Sequence, residues 1–255
     1  MGRYLILAFL GCLIGASSEA MAAERFRCQQ ELAYPEGQRL LEETESQYRT
    51  VQDLSAEFVQ YSYFAGLDRG EHSKGTVRFK KPGRMDWLYT DPERQRFVAD
   101  GATLWYYQPS VNQVTVGEFT SAFSSELPVS FLLGIGSLAE SFSLKRTCRT
   151  DGDIFFELAP LQTDPSLQAF QLLVDPETKL PVGAKTFDVG GNETQITLVA
   201  PKVDQGVKDA AFAFVPPRGV DIIDNRTAAP VRSKPIFEED VVGQSESRST
   251  EGKER

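Results

Sequence analysis

Few residues in this chain can carry covalent or proton-transfer chemistry. Its 255 residues include one histidine, His72. A Ser-His-Asp relay, a paired-histidine metal site or an HExxH zinc motif must therefore run through His72 or be absent. His72 falls in the polar stretch Asp68 to Lys74, which reads as a loop rather than a ligand's setting. The cysteines are Cys12, Cys28 and Cys148, and a nucleophilic thiol needs a base that only His72 could supply. Asp151-x-Asp153 begins like a calcium loop but lacks the remaining oxygen ligands and sits at a hairpin turn. Gly134-Ile135-Gly136 is too short for a phosphate loop and follows a helical pattern. Carboxylates are plentiful, yet no two are marked out as an acid and base pair. The residues lead us to expect no enzyme, metal or cofactor.

Charge narrows the partners. Against 27 Lys and Arg stand 36 Asp and Glu, a net charge of -9. That balance argues against binding a phosphate backbone and against lasting adhesion to an anionic lipid surface. Lys80 and Lys81 make a small basic spot at a strand end. With 41% apolar residues, a chain of this length buries a sizeable core without a metal or a dense disulfide framework.

Residues 1–22 read as an export signal: Arg3, an apolar run from Tyr4 to Ile14, then Ala20-Met21-Ala22 as a cleavage site. The run is too short to span a bilayer as a helix. A rival reading takes Phe9-Leu10-Gly11-Cys12 as a lipoprotein box with Cys12 acylated, although Phe9 suits that box poorly. Export would leave Cys28 and Cys148, which then form either a disulfide or two buried thiols.

Gly37 to Val51 carries Leu40, Leu41, Tyr48 and Val51 near helical spacing and predicts an amphipathic helix. The period then becomes two, with Leu54, Ala56 and Phe58 on one face and Val59, Tyr61 and Tyr63 on the other. Pro82-Gly83, Asp100-Gly101, Asp151-Gly152, Asp175-Pro176 and Gly190-Gly191 punctuate further short strands. About eleven strands result, the pattern of one antiparallel sheet or barrel. Ser121 to Glu140 interrupts them with a short apolar helix over Leu127 to Gly134. Residues 225–255, poor in aromatics, read as a disordered charged tail, leaving 23–224 as one folded domain. Helices over a strand-rich wrap can enclose an acyl-chain site. Periodicity alone nevertheless favours a filled core.

Several blocks, in order, resemble the LolA family of outer-membrane lipoprotein carriers. They are Leu54 to Gln60, Gly75 to Pro82 with Arg84 to Trp87, Asp100 to Tyr107, Pro128 to Gly134, and Phe212 to Val220. The resemblance implies an unclosed antiparallel β-barrel with helices as a lid over a hydrophobic cavity. It implies a monomeric periplasmic carrier that takes acylated lipoproteins from an inner-membrane ABC transporter to an outer-membrane receptor. By family position Leu54, Phe58, Met85 and Trp87 line the barrel side of the cavity, and Phe131 and Leu132 the lid side. Strand alternation adds Leu104, Tyr106, Phe170 and Leu172. The family commonly has arginine before the proline of its Lys-Arg-Pro stretch, where it bonds lid carbonyls. Here Lys81 stands there, a point charge in place of a planar fork, and is expected to gate the lid at the end of the Pro128 to Leu133 helix. An acylated receptor of the same fold, LolB-like, would instead be anchored through Cys12.

Overall fold

The structure, a computed structural model, describes residues 25–119, 137–164 and 166–226. The expected export signal 1–22 with Cys12, the stretch expected to form a helix with Phe131 and Leu132, and residues 227–255 lie outside the described residues. Within them the chain is mainly β, one unclosed sheet of 13 strands. A first meander runs β2 (Asp53–Phe64), β3 (Arg69–Lys80), β4 (Arg84–Asp91), β5 (Gln95–Asp100), β6 (Thr103–Gln108) and β7 (Gln113–Glu118). A second runs β8 (Phe142–Arg149), β9 (Ile154–Pro160), β10 (Ala169–Val174), β11 (Pro181–Phe187) and β12 (Glu193–Val203). The meanders join where β12 pairs antiparallel with β2, Leu198 opposite Phe58. Two short strands escaped the count of eleven. β1 (Gln30–Glu31) adds to β8, and β13 (Asp221–Asp224) lies parallel to β7.

The turns follow from residue type. Gly101 and Gly152 take positive φ at the β5–β6 and β8–β9 hairpins, a backbone region that L side chains rarely adopt. Asp100 Oδ1 accepts from the backbone N–H of Ala102 and Thr103, fixing the first of these turns. The expectation of a loop at His72 is corrected. β2 and β3 continue to Phe64 and Arg69 across a single 3-10 turn, and His72 pairs with Tyr61, their rings 4.8 Å apart. Ring packing across the strands outweighs the local polarity.

Helix α1 spans Tyr34–Thr50, beginning three residues before the predicted start, because Pro35 is tolerated in a first turn whose N–H groups have no helical partner. It buries Leu40, Leu41 and Tyr48. Gly37 permits its close approach to β8: a Cβ there would stand 2.3 Å from Thr147 Oγ1. At the other end Tyr48 O accepts a hydrogen bond from Lys81 Nζ, just past β3. Gly37 and Tyr48 are eleven residues apart, about 16 Å of helix. In a flat sheet β8 and β3 would be six strand spacings apart, about 29 Å. The sheet must therefore curl around α1, giving a concave inner face.

Each face has its own packing. Phe26 and Cys28 cover Phe155 and Leu173 outside β9 and β10, and a disulfide joins Cys28 to Cys148. The 3-10 turn Asp209–Phe212 and Phe214 cover the outside of β4 to β7, with Phe214 near the rings of Trp105 and Tyr107. On that outer face Arg78 and Arg96 hold the buried Asp86 carboxylate at 2.6 and 2.7 Å.

Candidate functional site: the concave apolar face

Register decides which side chains meet. Met85, Ala99 and Leu104 stand opposite one another across β4, β5 and β6, and so do Trp87, Phe97 and Tyr106. Across β10 and β9, Phe170 faces Leu158 and Leu172 faces Phe156. Leu54, Phe58, Met85, Trp87, Phe170 and Leu172 belong to one buried cluster with α1, and Leu104 packs against it half-buried. Tyr106, also half-buried, joins through a stacked contact with Phe97 at 4.2 Å. The structure thus brings to one face every described residue expected to line it.

Sequence reasoning left Phe79, Tyr89 and Phe97 out of the lining, although Tyr89 stands two residues beyond Trp87 on the same face of β4. Together these side chains form a continuous aromatic run. Phe58 lies 5.0 Å from Trp87 and 5.1 Å from Tyr89, Tyr89 lies 6.3 Å from Phe97, and Phe97 leads to Tyr106. The run goes from a fully buried end at Phe58 to a half-buried end at Phe97, Leu104 and Tyr106. Its polar tips are engaged: Tyr89 Oη donates to Gln60 Oε1 at 2.9 Å and Tyr106 Oη to Gln95 Oε1 at 2.8 Å. Burial and Glu93 push the Tyr106 hydroxyl above its ordinary pKa, so it stays neutral.

Two ionic groups tie helices around this face. Glu45, buried on α1, accepts at Oε2 from the Ala139 N–H at 3.2 Å, at the start of the short helix α2 (Leu138–Ser141). Glu45 Oε1 also pairs with Arg49 at 3.2 Å. Lys81 Nζ donates to Tyr48 O and lies 4.0 Å from the centroid of the Tyr48 ring. A cation suits that position, because carbonyls lacking helical partners gather at the end of α1. The described contact therefore places Lys81 at the end of α1. Residues 128–133, where a helix holding its partner was expected, lie outside the described residues. Burial brings the Lys81 ammonium down to about 8, opposed by Asp204 and reinforced by Arg49.

This face offers alkyl and aryl surface and closure ties. Among the described residues no group of three or more His, Cys, Asp or Glu could hold a metal ion. Such a lining can bind chains by burying them.

The family model described as outer membrane lipoprotein carrier protein LolA matches residues 49–215, from the end of α1 through the segment that packs on Trp105. The chain belongs to the LolA family. It is 32% identical over 151 residues to an outer-membrane lipoprotein carrier protein of Ralstonia nicotianae, covering 59% of this chain and 69% of that one. To that of Chromobacterium violaceum it is 30% identical over 171 residues, covering 67% and 80%. Its fold is similar to that of a solved LolA superfamily protein from Nitrosomonas europaea. That likeness has a TM-score of 0.40 and 14% identity, covering 70% of this chain and 97% of that one. Within the LolA match fall all the strand residues of the aromatic run, Lys81 and Glu45's partner Ala139, whereas most of α1 precedes it.

Proposed function

We propose that this LolA-family chain is a periplasmic chaperone that carries the acyl chains of lipoproteins across an aqueous space. It acts by binding alone and as a monomer. Residues 1–22 are its cleaved export signal, 23–224 its lipoprotein-binding domain and 225–255 a charged tail. An inner-membrane ABC transporter supplies the cargo and an outer-membrane receptor accepts it. Leu54, Phe58, Met85, Trp87, Leu104, Tyr106, Phe170 and Leu172 line the cavity from the sheet. Phe131 and Leu132 line it from the lid, and Lys81 gates it.

The observation that carries this reading is the aromatic run, buried at Phe58 and half-buried at Phe97 and Tyr106. Each CH₂ moved onto such a surface gains about 0.8 kcal/mol, so several long chains would be held beyond any useful affinity. A carrier needs a closed empty state that competes with cargo. Ties such as Lys81 to Tyr48 O and Glu45 to Ala139 N supply one, since opening breaks them and unloading re-forms them.

Native purification followed by intact mass spectrometry tests the reading. Acylated lipoproteins should co-purify with soluble chain from the periplasmic fraction. Free lipids alone would make it a general lipid binder, and recovery only in the outer-membrane pellet would make it a receptor anchored through Cys12.

A further inference from the structure

Trp87 Nε1 is buried with no hydrogen-bond partner, one of only two such side-chain atoms among the described residues. The indole stands on the concave face and is only 6% exposed. Around it are the rings of Phe58, Phe79 and Tyr89, and the Tyr89 hydroxyl, which donates to Gln60, does not accept from it. Among the described residues no acceptor meets this donor. The other unpartnered atom, Thr147 Oγ1, lies beneath Gly37 of α1, where helix backbone closes over it. A buried N–H without a partner is destabilising, whereas a phenylalanine would fill much of the same apolar surface at no such cost. The unmet group on this face is therefore a donor, and the ligand feature it matches is a single acceptor among alkyl groups.

We propose that Trp87 Nε1 donates a hydrogen bond to the carbonyl of a cargo acyl linkage, ester or amide, and so sets how deeply the chains enter. This rests on the carrier reading above and adds a polar anchor to it. Pure hydrocarbon would bury the same area and leave the indole N–H unmet. An acyl linkage supplies one strong acceptor at the head of each chain. The bond also distinguishes acyl chains from alkyl ethers of equal length, which offer only a weakly accepting oxygen. That discrimination is what hydrophobic burial by itself lacks.

Three single-chain probes with one head group and one chain length, kept below their micellar concentrations, test the proposal: an O-acyl ester, its alkyl ether and the N-acyl amide. The purified protein should bind the ester about three- to tenfold more tightly than the ether, the range of one net hydrogen bond. In Trp87→Phe that ratio should fall to near one. Because the variant also changes ring size, the indole ¹H–¹⁵N resonances of the unmodified protein give a second readout. Ester should shift the Trp87 signal downfield and ether should not. Trp105, the only other tryptophan and on the opposite face, serves as the internal reference. Amide binding as tight as the ester's assigns the shared carbonyl, and an advantage for the ester alone assigns the O-linked chains. Equal affinity of ester and ether, or a ratio that survives in Trp87→Phe, overturns the proposal and leaves the carrier reading standing. Failure of all three probes to bind overturns both.

Discussion

Replacing Lys81 by arginine should change how stability responds to pH, and the direction follows from where Nζ sits. Nζ lies half-buried against the Tyr48 ring and the end of α1, and removal from water brings its pKa from 10.5 down to about 8. Between those values the unfolded chain holds a proton on this side chain that the folded chain has shed. Stability therefore rises as the pH goes from about 8 to about 10.5. Below pH 8 both states are protonated, and the folded state carries the whole cost of holding a desolvated ammonium. A fall from 10.5 to about 8 corresponds to about 3 kcal/mol at full strength. Screening by water at a half-exposed site reduces this to about 1 kcal/mol. Arginine keeps its charge across the whole range, so Lys81→Arg should lose this contribution while every other titrating group stays the same. Urea unfolding at pH 7.5, 9 and 10 checks this. The unmodified protein should gain about 1 kcal/mol on the variant across the series. Parallel stability curves would show that Nζ is hydrated and that the tie to α1 is too weak to hold a lid.

Three further outcomes follow from the same structure. Asp53 is buried and accepts from the backbone N–H groups of Gln205, Gly206 and Val207 at 2.8, 2.9 and 3.1 Å. Asp53→Ala should cost about 3 kcal/mol in chemical denaturation, and a loss below about 1 kcal/mol would show that the loop needs no such anchor. The disulfide joins residues 120 apart in sequence, so Cys28→Ser with Cys148→Ser should cost about 5 kcal/mol in the chain-entropy model; unchanged unfolding after reduction would contradict it. Phe97→Asp, at the half-buried end of the aromatic run, should weaken binding of a fluorescent alkyl probe at least tenfold. Its melting temperature should fall far less than that of Phe58→Asp, because a charge at the wet end of the face stays hydrated. Equal falls in both variants would make Phe97 an ordinary core residue.

Much of this was legible in the sequence because strand periodicity is a direct readout of faces. Alternation through Leu54, Ala56 and Phe58 assigned side chains to a face that the register reproduces. The Asp-Gly turns were readable because each needs a residue that accepts positive φ. What failed was non-local. His72 reads as a loop because five of the seven residues from Asp68 to Lys74 are charged or polar besides it, and only its pairing with Tyr61 makes it a strand residue. β1 and β13 are short pieces whose strand character comes from the edges they join, with no pattern of their own. The contact of Lys81 with the end of α1 was not foreseen for a similar reason. A strand-end lysine can reach any nearby carbonyl, and which helix end it meets depends on the curl of the whole sheet. The unmet indole of Trp87 is likewise invisible in sequence, since it is defined by what its neighbours lack.

The seam between β2 and β12 has a consequence for how the chain reaches this shape. β2 leaves the start of the domain and β12 arrives some 140 residues later, Leu54 pairing with Val203. Until that late strand docks, β2 offers a 12-residue border of unsatisfied amides and carbonyls along one side of the first meander. Such a border templates pairing with other chains, and contacts this distant in sequence form slowly. An emerging polypeptide is therefore sticky from the completion of β2 until β12 is available to cover it. A truncation that stops before Glu193 should aggregate even though it retains both the helix and the entire first meander.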